Sequence, residues 1–273
     1  MKIIQLQTKV FKDKNKTLCH IEKLIGKMSA YNPDFICLPE MFNCPYENKY
    51  FPIYAESYKS KTYQFLSNLA KKYSVYICGG SFPEINDKKQ IFNTAYVFNR
   101  KGKELARHAK MHLFDIDIKN GQYFKESDTL TAGNSITVFD TEFGKMGLCI
   151  CYDIRFPELF RLMVDRGAKI IFIPASFNQT TGKMHWELLF RSRAVDNQVF
   201  TVGTSPALAE NSAYHSWGHS IVVSPWGKIL NQLDCSQGQL ITEIDLSEVT
   251  KVREQLPLLK HRRLDIYNLK YLL

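Results

Sequence analysis

Residues 147–158 read GLCICYDIRFPE. The stretch opens as an apolar run, carries two cysteines one residue apart, and closes in an acidic and basic cluster around a proline. An apolar run bounded in this way reads as a buried strand, and Pro157 opens a short helix that ends at Gly167. Cys149 falls inside the strand and Cys151 at its exit, with Tyr152 and Asp153 leading into the helix. A strand that feeds a helix is the repeating unit of an α/β fold. Open α/β sheets collect their chemistry at the carboxyl ends of strands, which is where Cys151 stands. A nucleophilic thiol needs an activating base, and no histidine lies within twenty positions of this stretch.

The same alternation extends in both directions. KIIQLQ reads as a strand, residues 15–29 as an amphipathic helix with Leu18, Ile21, Ile25 and Met28 on one face, and DFICLPE as a strand that stops at Pro39. A helix over residues 63–72 precedes the strand VYICGGS, and TAYVFNRKGKELAR has hairpin character with its turn at Arg100-Lys101-Gly102. Further on, ITVFDTEFGKMGLCIC contains two strands about a Gly144-Lys145 turn. AKIIFIPAS is a buried strand, HWELLFRSRAVDN a helix and QVFTVGTS a strand. GHSIVVSPWGKILNQ is a hairpin turning at Pro225-Trp226-Gly227. LITEIDLSEVTKVREQ is a strand and a helix capped near Asp245 or Ser247. No Ser/Gly/Pro-rich linker divides the 273 residues, so the pattern predicts one α/β domain, 1–273, with mixed sheets. Its apolar and basic tail, about 257–273, is expected to pack on the body or on a partner subunit.

The formal charge of +9 permits an anionic partner, but the lysines are scattered, as in KVFKDKNK, NRKGK and LLKHRR, and fit a solvated surface. No zinc finger or RNA-binding aromatic signature is present, and no nucleic acid partner is expected. No apolar run approaches the roughly 18 residues of a membrane helix. The first residues enter strand-like sequence directly, and the expected location is cytoplasmic. The seven cysteines are odd in number and irregularly spaced, which fits reduced thiols and not a disulfide framework. There is no CxxC pair, so no metal site is expected.

Three strand ends stand out. FICLPE delivers Glu40, ELARHAKMHLFD delivers Lys110, and GLCICYD delivers Cys151. Each alone has an ordinary alternative: a solvated loop glutamate, a surface lysine, a cysteine serving as a small core hydrophobe. Together they would supply what a thiol hydrolase needs. The thiolate attacks, a free thiol titrating near about 8.5. A desolvated carboxylate can act as its base. An ammonium stabilises first the thiolate and then the oxyanion on a carbonyl. Such a set replaces histidine as activator.

These segments resemble the nitrilase superfamily of carbon–nitrogen hydrolases. LPEMF is similar to its glutamate motif, KMHLFD to its lysine motif and CYDIRFPE to its nucleophile motif, in the same order, over Met1 to about Tyr267. Within it, FNCPYENKYFPIYAE, FKESDTL, FNQTTGKMHWELLFRSRAVDNQVF and WGHSIVVSPWGK resemble the omega-amidase branch. The resemblance implies a four-layer αββα sandwich, no cofactor, and a homodimer joined through a helical face. It implies hydrolysis of the terminal amide of 2-oxoglutaramate and 2-oxosuccinamate to a 2-oxo dicarboxylate and ammonia, through a cysteine thioester. Cys151 would be the nucleophile and Glu40 the base. Lys110 and the Tyr152 backbone N–H would hold the oxyanion, and Glu126 would position Lys110 and substrate. Arg155 would contact the far carboxylate, against the alternative of a salt bridge to Asp153 or Glu158. Phe177 and Thr181 would line the pocket, and Tyr46 would close its other side.

Other readings compete. A deaminated glutathione amidase or an N-carbamoyl amine amidohydrolase of the same superfamily would share the three motifs. A non-catalytic basic binding protein would be expected to have lost them. The pairs His108/His112 and His215/His219 have zinc-like spacing but read as local structure, since neither sits on a predicted helix. Two cysteines one residue apart in a strand make a poor redox pair.

Overall fold

The computed structural model describes residues 1–117, 123–209 and 213–272. In chain order, the first part supplies β1 (Lys2–Gln7), α1 (Lys14–Ser29), β2 (Phe35–Cys37), α2 (Phe51–Tyr54), β3 (Glu56–Ser57), α3 (Lys61–Tyr73), β4 (Tyr76–Ile85), β5 (Ile91–Phe98) and β6 (Glu104–Ala109). A two-stranded ribbon follows, β7 (Asp115–Asp117) with β8 (Tyr123–Lys125). The second part supplies β9 (Thr137–Thr141), β10 (Gly144–Leu148), α4 (Pro157–Asp165), β11 (Ile170–Pro174), α5 (Gln179–Asn197), β12 (Phe200–Thr204), β13 (Ile221–Val223), β14 (Ile229–Gln232), β15 (Gly238–Glu243) and α6 (Ser247–Gln255).

One sheet runs β15-β1-β2-β4-β5-β6, with β3 beside β4, and the other β14-β13-β12-β11-β10-β9. Their central strands, β1, β2 and β4 in one and β11, β12 and β13 in the other, are buried on both faces, which requires a layer on each side. Successive side chains point to opposite faces, and the core divides accordingly. Ile4, Leu6 and Ile36 face a cluster with Leu18, Ile21 and Ile25 of α1 and Leu66 and Leu69 of α3. Their neighbours Ile3, Phe35 and Cys37 face the other way, into a cluster with Met146, Leu148 and Phe172 of the second sheet. Phe35 stacks on Phe172 across that interface at 5.0 Å. Phe160 and Met163 of α4 and Trp186 and Phe190 of α5 cover the second sheet's outer side. The layers therefore run helix, sheet, sheet, helix: the four-layer αββα sandwich.

Several boundaries differ from those expected. The β9–β10 turn lies at Glu142-Phe143, with Gly144 already in β10 at φ +105°. β10 stops at Leu148, before the cysteines. α5 starts six residues before HWELL because the Asn178 side chain caps it, accepting from Thr181 N at 2.7 Å. The ribbon β7–β8 and the two-residue β3 carry too little sequence to announce themselves. The tail packs partly on the body: Leu259 and Tyr271 lie against the central core and Arg262 pairs with Asp165 at 3.0 Å.

Candidate active site

Glu40 reaches the interior because the chain leaves β2 along an irregular stretch of β4. The β4–β5 register shifts between Cys78 and Ser81, over Gly79 and Gly80. Gly80 has φ +62°, and a Cβ there would collide with the Pro39 carbonyl oxygen. That close approach lets Ser81 N donate to Pro39 O at 3.2 Å and the Ser81 hydroxyl accept from Met41 N at 3.0 Å. The Glu40 carboxylate is fully buried. Its Oε1 accepts from Asn93 Nδ2 at 2.8 Å, Lys110 Nζ at 3.0 Å and Tyr46 Oη at 3.2 Å. Its Oε2 accepts from Ser176 N at 2.8 Å.

Lys110 follows β6, its backbone N–H donating to Asn93 O at 2.8 Å. Its ammonium is fully buried between two carboxylates, 3.0 Å from Glu40 and 2.8 Å from Glu126. Glu126 opens a 3₁₀ turn and accepts from Phe114 N at 2.7 Å and Tyr46 Oη at 2.7 Å. Burial alone would lower the Lys110 pKa, but Glu126 and Glu40 outweigh it and raise it well above the ordinary value. Burial raises the Glu40 pKa, with Glu126 adding to the rise and Lys110 opposing it.

Cys151 begins a 3₁₀ turn, Cys151–Arg155, in the left-handed region at φ +46°. A non-glycine residue held there is strained and persists only when its surroundings fix it. The thiol is buried, points at Ser176 O at 3.8 Å, and has its pKa raised, first by burial and then by the Glu40 charge, with Lys110 pulling the other way. Ser176 thus meets the Glu40 carboxylate through its N–H and the thiol through its carbonyl, which also accepts from Tyr214 Oη at 2.6 Å. This arrangement can move a proton from thiol to carboxylate and place a cation where an oxyanion forms.

Asp153 holds the strained turn. Its Oδ2 accepts from Ile150 N at 2.9 Å and meets His108 Nε2 at 3.0 Å. Its Oδ1 accepts from His112 N at 2.9 Å and meets His112 Nδ1 at 2.8 Å. His108 and His112 flank Lys110 two residues on either side, so one carboxylate ties the lysine-bearing segment to the nucleophile turn. Although burial alone would raise it, hydrogen bonds from both imidazoles hold the Asp153 pKa far below the carboxylate range. His219 stacks on Trp217 at 4.2 Å and its Nδ1 meets Trp217 O at 2.7 Å, whereas His215 is exposed.

Phe114, Cys151, Tyr152, Arg155, Ser176, Phe177, Thr181 and Tyr214 line one narrow cavity of about 10 Å³, whose walls must part to seat an amide. Four of the residues expected around a substrate, Tyr152, Arg155, Phe177 and Thr181, therefore meet beside the thiol. The Thr181 hydroxyl also donates to Asn178 Oδ1 at 2.8 Å. The Tyr46 hydroxyl sits among Glu40, Lys110 and Glu126, and Tyr46 lines an adjoining basin of about 740 Å³ that shares Ser176 and Tyr214 with the narrow cavity. Arg155 pairs with neither Asp153 nor Glu158 among the described ion pairs, because Asp153 is taken up by the two histidines. Asn93, Ser176, Tyr214 and the Asp153 set went unread in the sequence. Three contacts of the site run through the backbone of Ser176, which no residue type signals.

The carbon-nitrogen hydrolase family model matches residues 3–254. The omega-amidase NIT2 of Mus musculus is 44% identical over 269 residues, covering 98% of this chain and 96% of that protein. The omega-amidase NIT2 of Homo sapiens is 43% identical over 265 residues, covering 97% and 95%. The crystal structure of Saccharomyces cerevisiae Nit3, a member of branch 10 of the nitrilase superfamily, superposes with a TM-score of 0.89 at 39% identity, covering 96% of each chain. With the sandwich and the buried Glu40–Lys110–Cys151 cluster in place, the chain belongs to the carbon–nitrogen hydrolases of the nitrilase superfamily.

Proposed function

We propose that this enzyme is an omega-amidase. It hydrolyses the terminal amide of 2-oxoglutaramate and 2-oxosuccinamate to 2-oxoglutarate or oxaloacetate and ammonia. The observation that carries the reading is the convergence of a thiol, a buried carboxylate–ammonium pair and the Arg155 guanidinium around Cys151. Cys151 Sγ attacks the amide carbonyl while Glu40, whose raised pKa makes it a better base than an ordinary carboxylate, takes the thiol proton. The oxyanion faces Lys110 and the Tyr152 N–H. Collapse breaks the C–N bond, Glu40 hands its proton to the leaving nitrogen, and ammonia departs from a thioester. Glu40 then deprotonates a water that attacks the thioester, returning the proton to Cys151 as the 2-oxo dicarboxylate leaves. Glu126 keeps Lys110 charged and aimed. The Arg155 fork receives the far carboxylate, with Phe177 and Thr181 forming the walls. In this scheme all steps run on side chains and one backbone N–H of this chain, without a cofactor.

The reading includes a cytoplasmic homodimer with no nucleic acid or membrane partner. No helix of the described residues is long and apolar enough to cross a membrane. The basin beside Glu40 and Tyr46, with Lys9, Lys12 and Lys49 on its walls, favours a second reading: a larger, peptide-like 2-oxo amide such as deaminated glutathione.

The test is ammonia release from 2-oxoglutaramate, run beside amide hydrolysis of deaminated glutathione, for wild type and Cys151→Ala. Fast turnover of 2-oxoglutaramate, abolished by the substitution, is expected. Preference for deaminated glutathione would favour the second reading, and activity surviving in Cys151→Ala would overturn the mechanism.

A further inference from the structure

We propose that His185 is a positioning residue that holds the Arg155 guanidinium ready for the carboxylate of the substrate. The proposal rests on the omega-amidase reading, which supplies that carboxylate. His185 Nδ1 lies 3.3 Å from Arg155 Nη1. A guanidinium has only donors, so Nδ1 must be the acceptor and the imidazole is neutral with its proton on Nε2. The guanidinium carbon lies 5.5 Å from the centre of the Tyr152 ring and 5.1 Å from that of Phe177. Two aromatic faces thus confine it, and one imidazole nitrogen fixes its rotation.

The chemistry of the holder matters. A carboxylate in the place of His185 would fix the fork and also neutralise it, leaving little attraction for an incoming anion. A neutral imidazole aims the cation and leaves its charge unspent. Arg155 takes part in no ion pair among the described residues, and its buried Nε has no hydrogen-bond partner among them. The group therefore keeps donors in reserve on the wall of the cavity that holds Cys151. The same helix secures the main chain beneath. Arg193, two turns beyond His185 on α5, donates to Ile154 O at 2.8 Å and to Arg155 O at 3.3 Å. One helix thus sets both the backbone and the side-chain direction of Arg155.

Two variants test this. His185→Ala removes the acceptor, and His185→Asn returns an acceptor oxygen near the place of Nδ1. Steady-state hydrolysis of 2-oxoglutaramate should show KM raised about tenfold or more in His185→Ala, with kcat falling by less than about threefold. Discrimination between 2-oxoglutaramate and uncharged pentanamide should fall by a similar factor, and His185→Asn should restore most of both. Equal losses of kcat and kcat/KM in both variants, or an unchanged KM in His185→Ala, would overturn the proposal. Crystal structures of the variants give a readout that needs no substrate. The guanidinium should leave its place between Tyr152 and Phe177 in His185→Ala and keep it in His185→Asn. A guanidinium that stays put in His185→Ala sinks the inference. Failure of the wild type to turn over 2-oxoglutaramate sinks the omega-amidase reading instead, and the crystallographic arm still decides this one.

Discussion

Glu40 holds its proton more tightly than a solvated glutamate because burial penalises the carboxylate and Glu126 repels it, while Lys110 recovers only part of that cost. In the proposed role of base Glu40 works deprotonated, so activity should rise as pH climbs through the Glu40 pKa. The acid limb of kcat/KM should therefore fall above the ordinary glutamate value of about 4.3. A pH–rate profile checks this, and a limb at or below that value would count against Glu40 as the base. Asp153 has the opposite sign. Its folded pKa is depressed, so its stabilisation is present above the unfolded value of about 3.9 and is lost as pH falls towards the folded one. Asp153→Asn should cost about 2–4 kcal/mol at neutral pH, with the gap to wild type closing below about pH 4, as urea denaturation at several pH values would show. Among individual residues, Glu40, Lys110 and Cys151 were legible because each stands just past a strand within a motif of its own. Asn93 and Ser176 were not, since a buried amide and a backbone N–H leave no pattern, and their partners lie 53 and 136 positions away. The histidines around Asp153 were read as local structure, and the carboxylate that joins them lies 45 and 41 positions further on.

Elements with a strong period were the easiest to read. α1 shows its apolar stripe directly, and its predicted face of Leu18, Ile21, Ile25 and Met28 is the one buried. α5 was read late because its first turn, QTTGK, is polar and carries no apolar stripe, its start being marked by the Asn178 cap. The irregularity in β4 illustrates how an element serves the site. Residues Gly79 and Gly80 read as part of a plain strand, yet they let β4 close against the β2 exit at Pro39, beside Glu40. Gly80→Ala places a Cβ in a left-handed position against a backbone oxygen, with no flexible side chain to yield. It should destabilise the fold by about 2 kcal/mol or more and depress kcat through displacement of the base. Thermal melts beside steady-state rates check both parts, and a variant with wild-type stability and rate would show that the close approach is dispensable.

At the scale of the whole molecule, α5 has two apolar sides. Trp186, Phe190 and Ala194 face the core, while Met184, Leu188 and Val195 stand 66%, 61% and 40% exposed on the outside. Positions 184, 188 and 195 fall at helical spacing and make one stripe. Trp226, 57% exposed, projects from the β13–β14 turn, whose Gly227 carbonyl accepts from Arg191 of α5 at 3.0 Å. A stripe of this kind on the outer layer of a sandwich costs solubility unless another surface covers it. The proposed homodimer would give it that cover, helix against helix, in an isologous contact where each copy presents the same residues. Leu188→Asp puts a charge at the middle of the stripe, and burying it unpaired would cost more than such a contact returns. Analytical ultracentrifugation should find wild type at twice the mass of one chain and Leu188→Asp at one, with circular dichroism unchanged. The same substitution links assembly to catalysis, because α5 also carries His185 and Arg193, which hold Arg155. Loss of the partner should therefore loosen the helix first where it grips that arginine, raising KM for 2-oxoglutaramate more than it lowers kcat. A monomeric Leu188→Asp with wild-type KM would show that the two functions of α5 are separable, and a dimeric one would place the interface elsewhere.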